Sequence, residues 1–309
     1  MLALAITLLT VAAILTFLFK FATADGDFTL ISRGKARREE IEDKVFWITG
    51  ASRGIGEGFD SSFYDLLLCF TAALREVLAK QLASLGAKLI LSARSEKELE
   101  RVKAQLAGKH APDGVKILPL DLASGEESLK EAVDRAESFF PGSGVDYMVH
   151  NAAYERPKAS ALDSTEGNLK ATFDVNVLGT ISLTRLLAPS MLKRGKGHFV
   201  VLYRKGIKVT VVCPGPIDTS NSSGASTPEM KRGISSERCA ELTLIAATHG
   251  LKEAWISDQP VLAIMYLVQY MPTVGYWIMD KVGANRVEAA AQKGNTYSWK
   301  LLFGHKKTT

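Results

Sequence analysis

The segment Thr49-Gly50-Ala51-Ser52-Arg53-Gly54-Ile55-Gly56 places glycines where a backbone must turn sharply and approach a phosphate closely. The apolar run Val45, Phe46, Trp47 and Ile48 immediately before it reads as a buried strand. Strand, glycine turn and helix N-terminus form a cradle for a pyrophosphate, because the first N–H groups of a helix have no partner within the helix. Two cations extend this chemistry. Arg53 sits inside the loop, Arg94 ends the next apolar run, and no acid ends that run to hold a ribose diol. This pattern favours NADP(H), whose 2′-phosphate wants cations; the alternative leaves both arginines as solvated surface charge.

The elements that must position these groups follow from the later apolar runs. Lys88–Ser92, Val115–Leu120, Val145–His150, His198–Leu202 and Lys208–Cys213 mostly alternate with stretches of helical character. This is the pattern of an α/β protein with a Rossmann-type doubly wound parallel sheet. Four parts are predicted: a membrane anchor over 1–24, a basic linker over 25–43, the dinucleotide-binding domain over 44–258, and a closing segment over 259–309.

Five motifs in order resemble the short-chain dehydrogenase/reductase family, most closely a membrane-anchored branch of it. They are the glycine loop, Asp121-Leu122, His150-Asn151-Ala152-Ala153, Asn176-Val177-Leu178-Gly179-Thr180, and Pro214-Gly215-Pro216-Ile217-Asp218-Thr219. The resemblance runs from about Lys44 to the C-terminus. It implies an NADP(H)-dependent oxidoreductase acting on carbonyl or alcohol groups of lipophilic substrates. It also implies cofactor contacts from Gly50, Arg53, Gly54, Ile55, Gly56, Arg94, Asp121, Leu122, Asn151, Ala152, Pro214, Gly215, Ile217 and Thr219. Asp121 would accept a hydrogen bond from the adenine amine, or else cap its strand. Asn176 would hold a water in a proton relay.

Two departures from the family pattern stand out. Gly56 and Arg94 lie 38 positions apart, nearly twice the usual spacing of about 20 in this unit. The extra segment is Gly58–Arg75, mostly apolar with a blurred helical period. Either it prolongs the following helix and carries its start roughly 25 Å from the phosphates at 1.5 Å per residue, or Gly58–Ser62 loops out and a first turn stays in place.

The second departure removes chemistry. The family pattern has a serine after the fifth strand and then a helix bearing Tyr-x-x-x-Lys. Here His198–Leu202 is followed by Tyr203-Arg204-Lys205-Gly206 and at once by the next strand, about thirty residues short of a complete strand–helix–strand unit. Tyr203 does not substitute, since position 207 is Ile and Lys205 is two residues away, whereas helix neighbours lie three or four apart. Hydride transfer to a carbonyl leaves an alkoxide that needs a proton, and a tyrosine supplies one near neutral pH only beside a cation. Of the four catalytic roles only Asn176 is filled. Losing a general acid costs on the order of 10²–10⁴ in rate, so activity is expected to be slight at best. A non-catalytic variant that binds a nucleotide or a partner is the alternative.

The deletion bears on the fold as well. Four linking residues reach about 14 Å, less than a typical strand of roughly 17–20 Å. Strands five and six are therefore expected to pair antiparallel or to separate. Leu183, Leu186 and Leu187 of the preceding helix are expected to lose cover, and homo-oligomerisation, which the resemblance would place in this region, becomes doubtful.

Composition agrees with a large globular body and an anchor. The chain has 309 residues and a formal charge of +5, with basic residues dispersed, so nucleic acid is not implied. Leu2–Phe19 is free of charge and long enough to span a bilayer. Basic residues Lys20, Arg33, Lys35, Arg37 and Arg38 follow it and none precedes it, which puts the body on the cytoplasmic side. A cleaved signal ending near Ala22-Thr23-Ala24 competes with this reading. The resemblance implies the endoplasmic reticulum membrane. Cys69, Cys213 and Cys239 suit neither a disulfide framework nor a metal site. Pro260–Asp280 is apolar and aromatic but broken by Pro272 and Gly275. It forms a substrate mouth, a membrane contact or ordinary packing.

Overall fold

The computed structural model describes residues 2–51, 76–154, 165–199, 207–218, 233–275 and 277–278. The chain divides into two compact units. One holds residues 35–212 and 236–253 and carries the sheet; the other holds residues 1–34, 213–235 and 254–309.

In the sheet-bearing unit, β1 (Val45–Thr49) is buried along its whole length, as a strand covered on both faces must be. It pairs in parallel with β2 (Lys88–Ser92) on one side and β4 (Tyr147–Val149) on the other. Next come β3 (Val115–Ile117), β5 (Gly197–Phe199) and β6 (Ile207–Val209), giving the order β3-β2-β1-β4-β5-β6 with every recorded pairing parallel. This is the expected doubly wound sheet.

Side chains alternate faces along each strand, and the two faces have separate cores. Phe46, Ile48, Leu89 and Leu91 pack with Leu78 and Leu82 of α3 (76–84), with Leu99 and Val102 of α4 (Glu96–Ala104), and with Ala240 and Leu244 of α8 (Ser236–Thr248). Val45, Trp47, Ile90 and Met148 face the other way, toward Leu129 and Val133 of α5 (Glu126–Ser138) and toward α7 (Thr180–Lys193). The α7 residues Leu183 and Leu187 have no exposed surface at all, and Leu186 packs against the same cluster. The expectation that these leucines lose their cover is therefore corrected: α5 and the sheet enclose them.

The pairing of the fifth and sixth strands is also corrected. Gly197, His198 and Phe199 stand opposite Ile207, Lys208 and Val209 in parallel register. The expectation of a hairpin or a separated strand assumed longer strands. Three-residue strands are only about 10 Å long, and the seven residues between Phe199 and Ile207 reach up to about 25 Å, enough to return to the starting edge. Thr210 then interrupts the sixth strand. Its amide donates to the Phe199 carbonyl and its hydroxyl to the Leu251 carbonyl, while Val211 N–H donates to the Lys252 carbonyl. The remainder, β7 (Val211–Pro214), pairs with β10 (Glu253–Ile256).

The other unit begins with α1 (Leu2–Ala22), a helix of 21 residues, followed by α2 (Phe28–Ile31), whose first turn is capped by the Asp27 carboxylate. It also contains the short parallel pair β8 (Ile217–Asp218) and β9 (Ile234–Ser235), and α9 (Val261–Tyr270).

Candidate nucleotide and catalytic site

Doubly wound sheets bind ligands beyond the carboxyl ends of the strands, where strand order reverses. In this sheet that point lies between β1 and β4, and Thr49 stitches the two strand ends together. Its hydroxyl donates to the Val149 carbonyl and accepts from the amides of Asn151 and Ala152, at 3.2–3.3 Å. The Asn151 amide group returns a bond to the Thr49 carbonyl. Gly50 and Asn151–Ala152 are thereby brought side by side. Gly50 has φ +67°, and a Cβ there would lie 2.8 Å from the Ala152 Cα, so only glycine suits both its conformation and its neighbour.

Arg94 is exposed just beyond β2, followed by Ser95, whose hydroxyl caps α4 by accepting from the Glu98 amide. Among the described residues no carboxylate pairs with Arg94. Its guanidinium is thus available to an anion. Asp121 is exposed after β3, and its Oδ1 accepts from the Ala123 amide at 3.0 Å, while its carbonyl accepts from Ser124. These bonds are those of a strand-end cap, with Oδ2 unassigned. The Leu122 side chain is buried in the core with Trp47. Arg53, Gly54, Ile55, Gly56, Thr219, Tyr203 and the Gly58–Arg75 segment lie outside the described residues. Pro214, Gly215 and Ile217 belong to the other unit, where Gly215 N–H donates to the Ile256 carbonyl and Ile217 is buried in β8.

Asn176 occurs in a π-helical turn, Asp174–Gly179, between α6 (Glu166–Phe173) and α7. Such turns insert an extra residue and re-aim the side chains around them. The Asn176 Oδ1 accepts from the Tyr154 amide at 2.6 Å, and its Nδ2 donates to the Tyr154 carbonyl at 2.9 Å. Both ends of the side chain thus hold the segment after β4.

A neighbouring arrangement escaped the sequence analysis. His150 Nε2 lies 2.8 Å from Thr184 Oγ1, whose own proton goes to the Thr180 carbonyl. Nε2 is therefore the donor, and Nδ1 is left as a bare, buried acceptor. Burial holds the imidazole pKa down to about 4, so the ring is neutral at physiological pH. The spacing of Thr180 and Thr184 on one helical face was the only signal in the sequence. Among the described residues no cluster of His, Cys, Asp or Glu is suited to a metal.

The residues present fit a nicotinamide nucleotide at the β1–β4 switch. Gly50 permits close backbone approach, and Arg94 offers a cation past β2. The resemblance to known proteins agrees. The short chain dehydrogenase family profile matches residues 71–203. The chain is 31% identical to human dehydrogenase/reductase SDR family member 7 over 324 aligned positions, covering 89% of each chain. Since 324 positions exceed the 309 residues of this chain, residues of the relative stand opposite gaps here. A short-chain dehydrogenase from Streptomyces avermitilis shares the fold with a TM-score of 0.55 at 19% identity, covering 79% of this chain and 97% of its own. The closed form of a serine dehydrogenase complexed with NADP+ does so with a TM-score of 0.50 at 17% identity, covering 71% and 95%. With its motifs in order, a parallel sheet of the expected topology and a relative matched along most of both chains, this protein belongs to the short-chain dehydrogenase/reductase family of oxidoreductases, in the branch of dehydrogenase/reductase SDR family member 7.

Proposed function

We propose that this chain is a membrane-anchored member of that branch with an NADP(H)-preferring nucleotide site and strongly impaired turnover. Its ancestral substrates are lipophilic carbonyls or alcohols. The observation that carries the reading is the connection from Phe199 to Ile207: seven residues join two parallel strands. A crossover with a helix needs a dozen or more, so no helix presenting Tyr and Lys four positions apart fits there. NADP(H) preference rests on Arg94 and Arg53 and on the lack of an acid beyond β2, and the NADP+ bound by the related serine dehydrogenase is consistent with it. The bound cofactor would supply or accept the hydride. This chain's residues contribute the Gly50 turn, the Arg94 cation and the Asn176 clamp on Tyr154.

The anchor reading rests on α1, whose 21 residues extend about 31 Å at 1.5 Å per residue, close to the bilayer's hydrocarbon thickness. Its side chains from Ile6 to Phe19 are exposed, even Phe17, which stacks on Phe28. The endoplasmic reticulum, with the body toward the cytoplasm, is the proposed location, and self-association is not part of the reading. The second reading, a non-catalytic product that binds nucleotide or a partner, is favoured by the same short connection.

Purified chain mixed with NADPH and a panel of lipophilic aldehydes and ketones is expected to oxidise NADPH at the background rate. Robust carbonyl-dependent oxidation abolished by Tyr203→Phe would overturn the reading. Inserting a Ser and Tyr-x-x-x-Lys segment between Leu202 and Tyr203, with residues 58–75 removed, is expected to restore turnover.

A further inference from the structure

Where α1 ends, the chain is tied down. Asp27 N–H donates to the Trp255 carbonyl, the Asp27 Oδ2 accepts from the Trp255 amide, and Ser257 N–H donates to the Asp25 carbonyl. Phe21 at the base of α1 is bound twice more. Its carbonyl accepts from Gln259 Nε2 at 2.9 Å, and its ring lies 6.1 Å from that of Tyr266 on α9. Rings continue on both sides: Phe17 and Phe21 stack on Phe28, and Trp255 and Tyr270 flank Tyr266. All of these residues lie in one unit.

The helix held in this way is unusual for one facing water. From Gln259 to Met279 the sequence has no charge, and in α9 only Leu262 is buried. Met271 caps the end of that helix, Pro272 opens a further helical stretch, and the chain turns back so tightly that a Cβ on Gly275 would lie 2.8 Å from the Val268 Cα. The outer surface of this turn carries Tyr270, 74% exposed, Met271, Val274, and Trp277, 56% exposed. Contiguous exposed apolar surface marks a contact site, and Tyr and Trp are the residues that favour the boundary between headgroups and acyl chains.

We propose that α9 and the turn after it form a second membrane contact, lying in the bilayer interface beside the point where α1 leaves the membrane. This rests on the reading of α1 as an anchor, because the hydrogen bond from Gln259 to Phe21 and the ring contact of Phe21 with Tyr266 put α9 at the level of the anchor's basic end, next to Lys20. The occupant is a lipid surface: α9 is too short to span, at 10 residues or about 15 Å, and its rings suit the interface.

The test uses the full chain reconstituted in phosphatidylcholine vesicles whose acyl chains are brominated either near the headgroup or near the terminal methyl. Tryptophan emission is compared with that of the Trp277→Phe chain, and alkaline carbonate extraction is read in parallel. A share of the quenching by shallow bromines is expected to disappear with Trp277→Phe, with little change for deep bromines. Identical shallow quenching in the two chains overturns the contact, even where the protein resists extraction and the anchor reading stands. Loss confined to deep bromines overturns the interfacial placement. Extraction by carbonate together with Trp277-dependent shallow quenching supports the contact and sinks the anchor.

Discussion

Asn176 holds Tyr154 by both ends of its side-chain amide, accepting from the backbone N–H and donating to the backbone carbonyl of the same residue. The asparagine that the family resemblance assigns to a proton relay is here engaged in shaping the segment that follows β4. Replacing Asn176 with Ala is expected to lower stability by about 1–3 kcal/mol, since two backbone groups lose their partners. Urea unfolding with an unchanged midpoint would show that Tyr154 finds other partners.

The nucleotide preference is expected to follow Arg94. NADPH is expected to bind more tightly than NADH in a fluorescence titration, and Arg94→Ala to narrow the difference by roughly tenfold, the size of one charge-assisted contact near 1.4 kcal/mol. Equal affinities for the two nucleotides in the unaltered chain would remove the basis for the assignment.

His150 makes stability depend on pH. Its folded pKa is depressed to about 4 by burial, while an unfolded chain takes up the proton near 6.5. The unfolded state therefore binds more protons between these values, and stability, full above about pH 6.5, falls as pH drops toward 4. The loss attributable to this group is at most about 3 kcal/mol. His150→Phe is expected to flatten that part of a curve of urea midpoint against pH; a curve of unchanged slope would place the titration elsewhere.

Charges within α1 test the anchor. Leu9→Lys together with Leu15→Lys adds two cations near the middle of the helix, each costing about 2.5–3.5 kcal/mol to insert. The full chain is expected to stay with membranes in alkaline carbonate, and the doubly substituted chain to be released. Release of both would end the anchor assignment.

The sheet was legible because its strands are buried on both faces. Uninterrupted apolar runs such as Val45–Thr49 and Lys88–Ser92 have few other folds open to them, and the glycine at 50 marked the turn that follows. The short spacing between the fifth and sixth strands was equally plain, because covalent spacing needs no structure to be counted. What the linear pattern did not decide was how the chain adapted. The parallel pairing of β5 with β6, contrary to expectation, depends on where β6 stops, and it stops at Thr210, whose hydroxyl bonds Leu251 while the next amide, that of Val211, bonds Lys252. The enclosure of Leu183 and Leu187 depends on α5, a helix about fifty residues earlier in the chain, near enough in space to cover them. Likewise the Asn176–Tyr154 clamp and the neutral His150 arise from a π turn and from burial, which are properties of packing rather than of any local run of residues. The residue types named the family and the chemistry to look for, while the partners of each side chain were decided by neighbours that only the folded chain brings together.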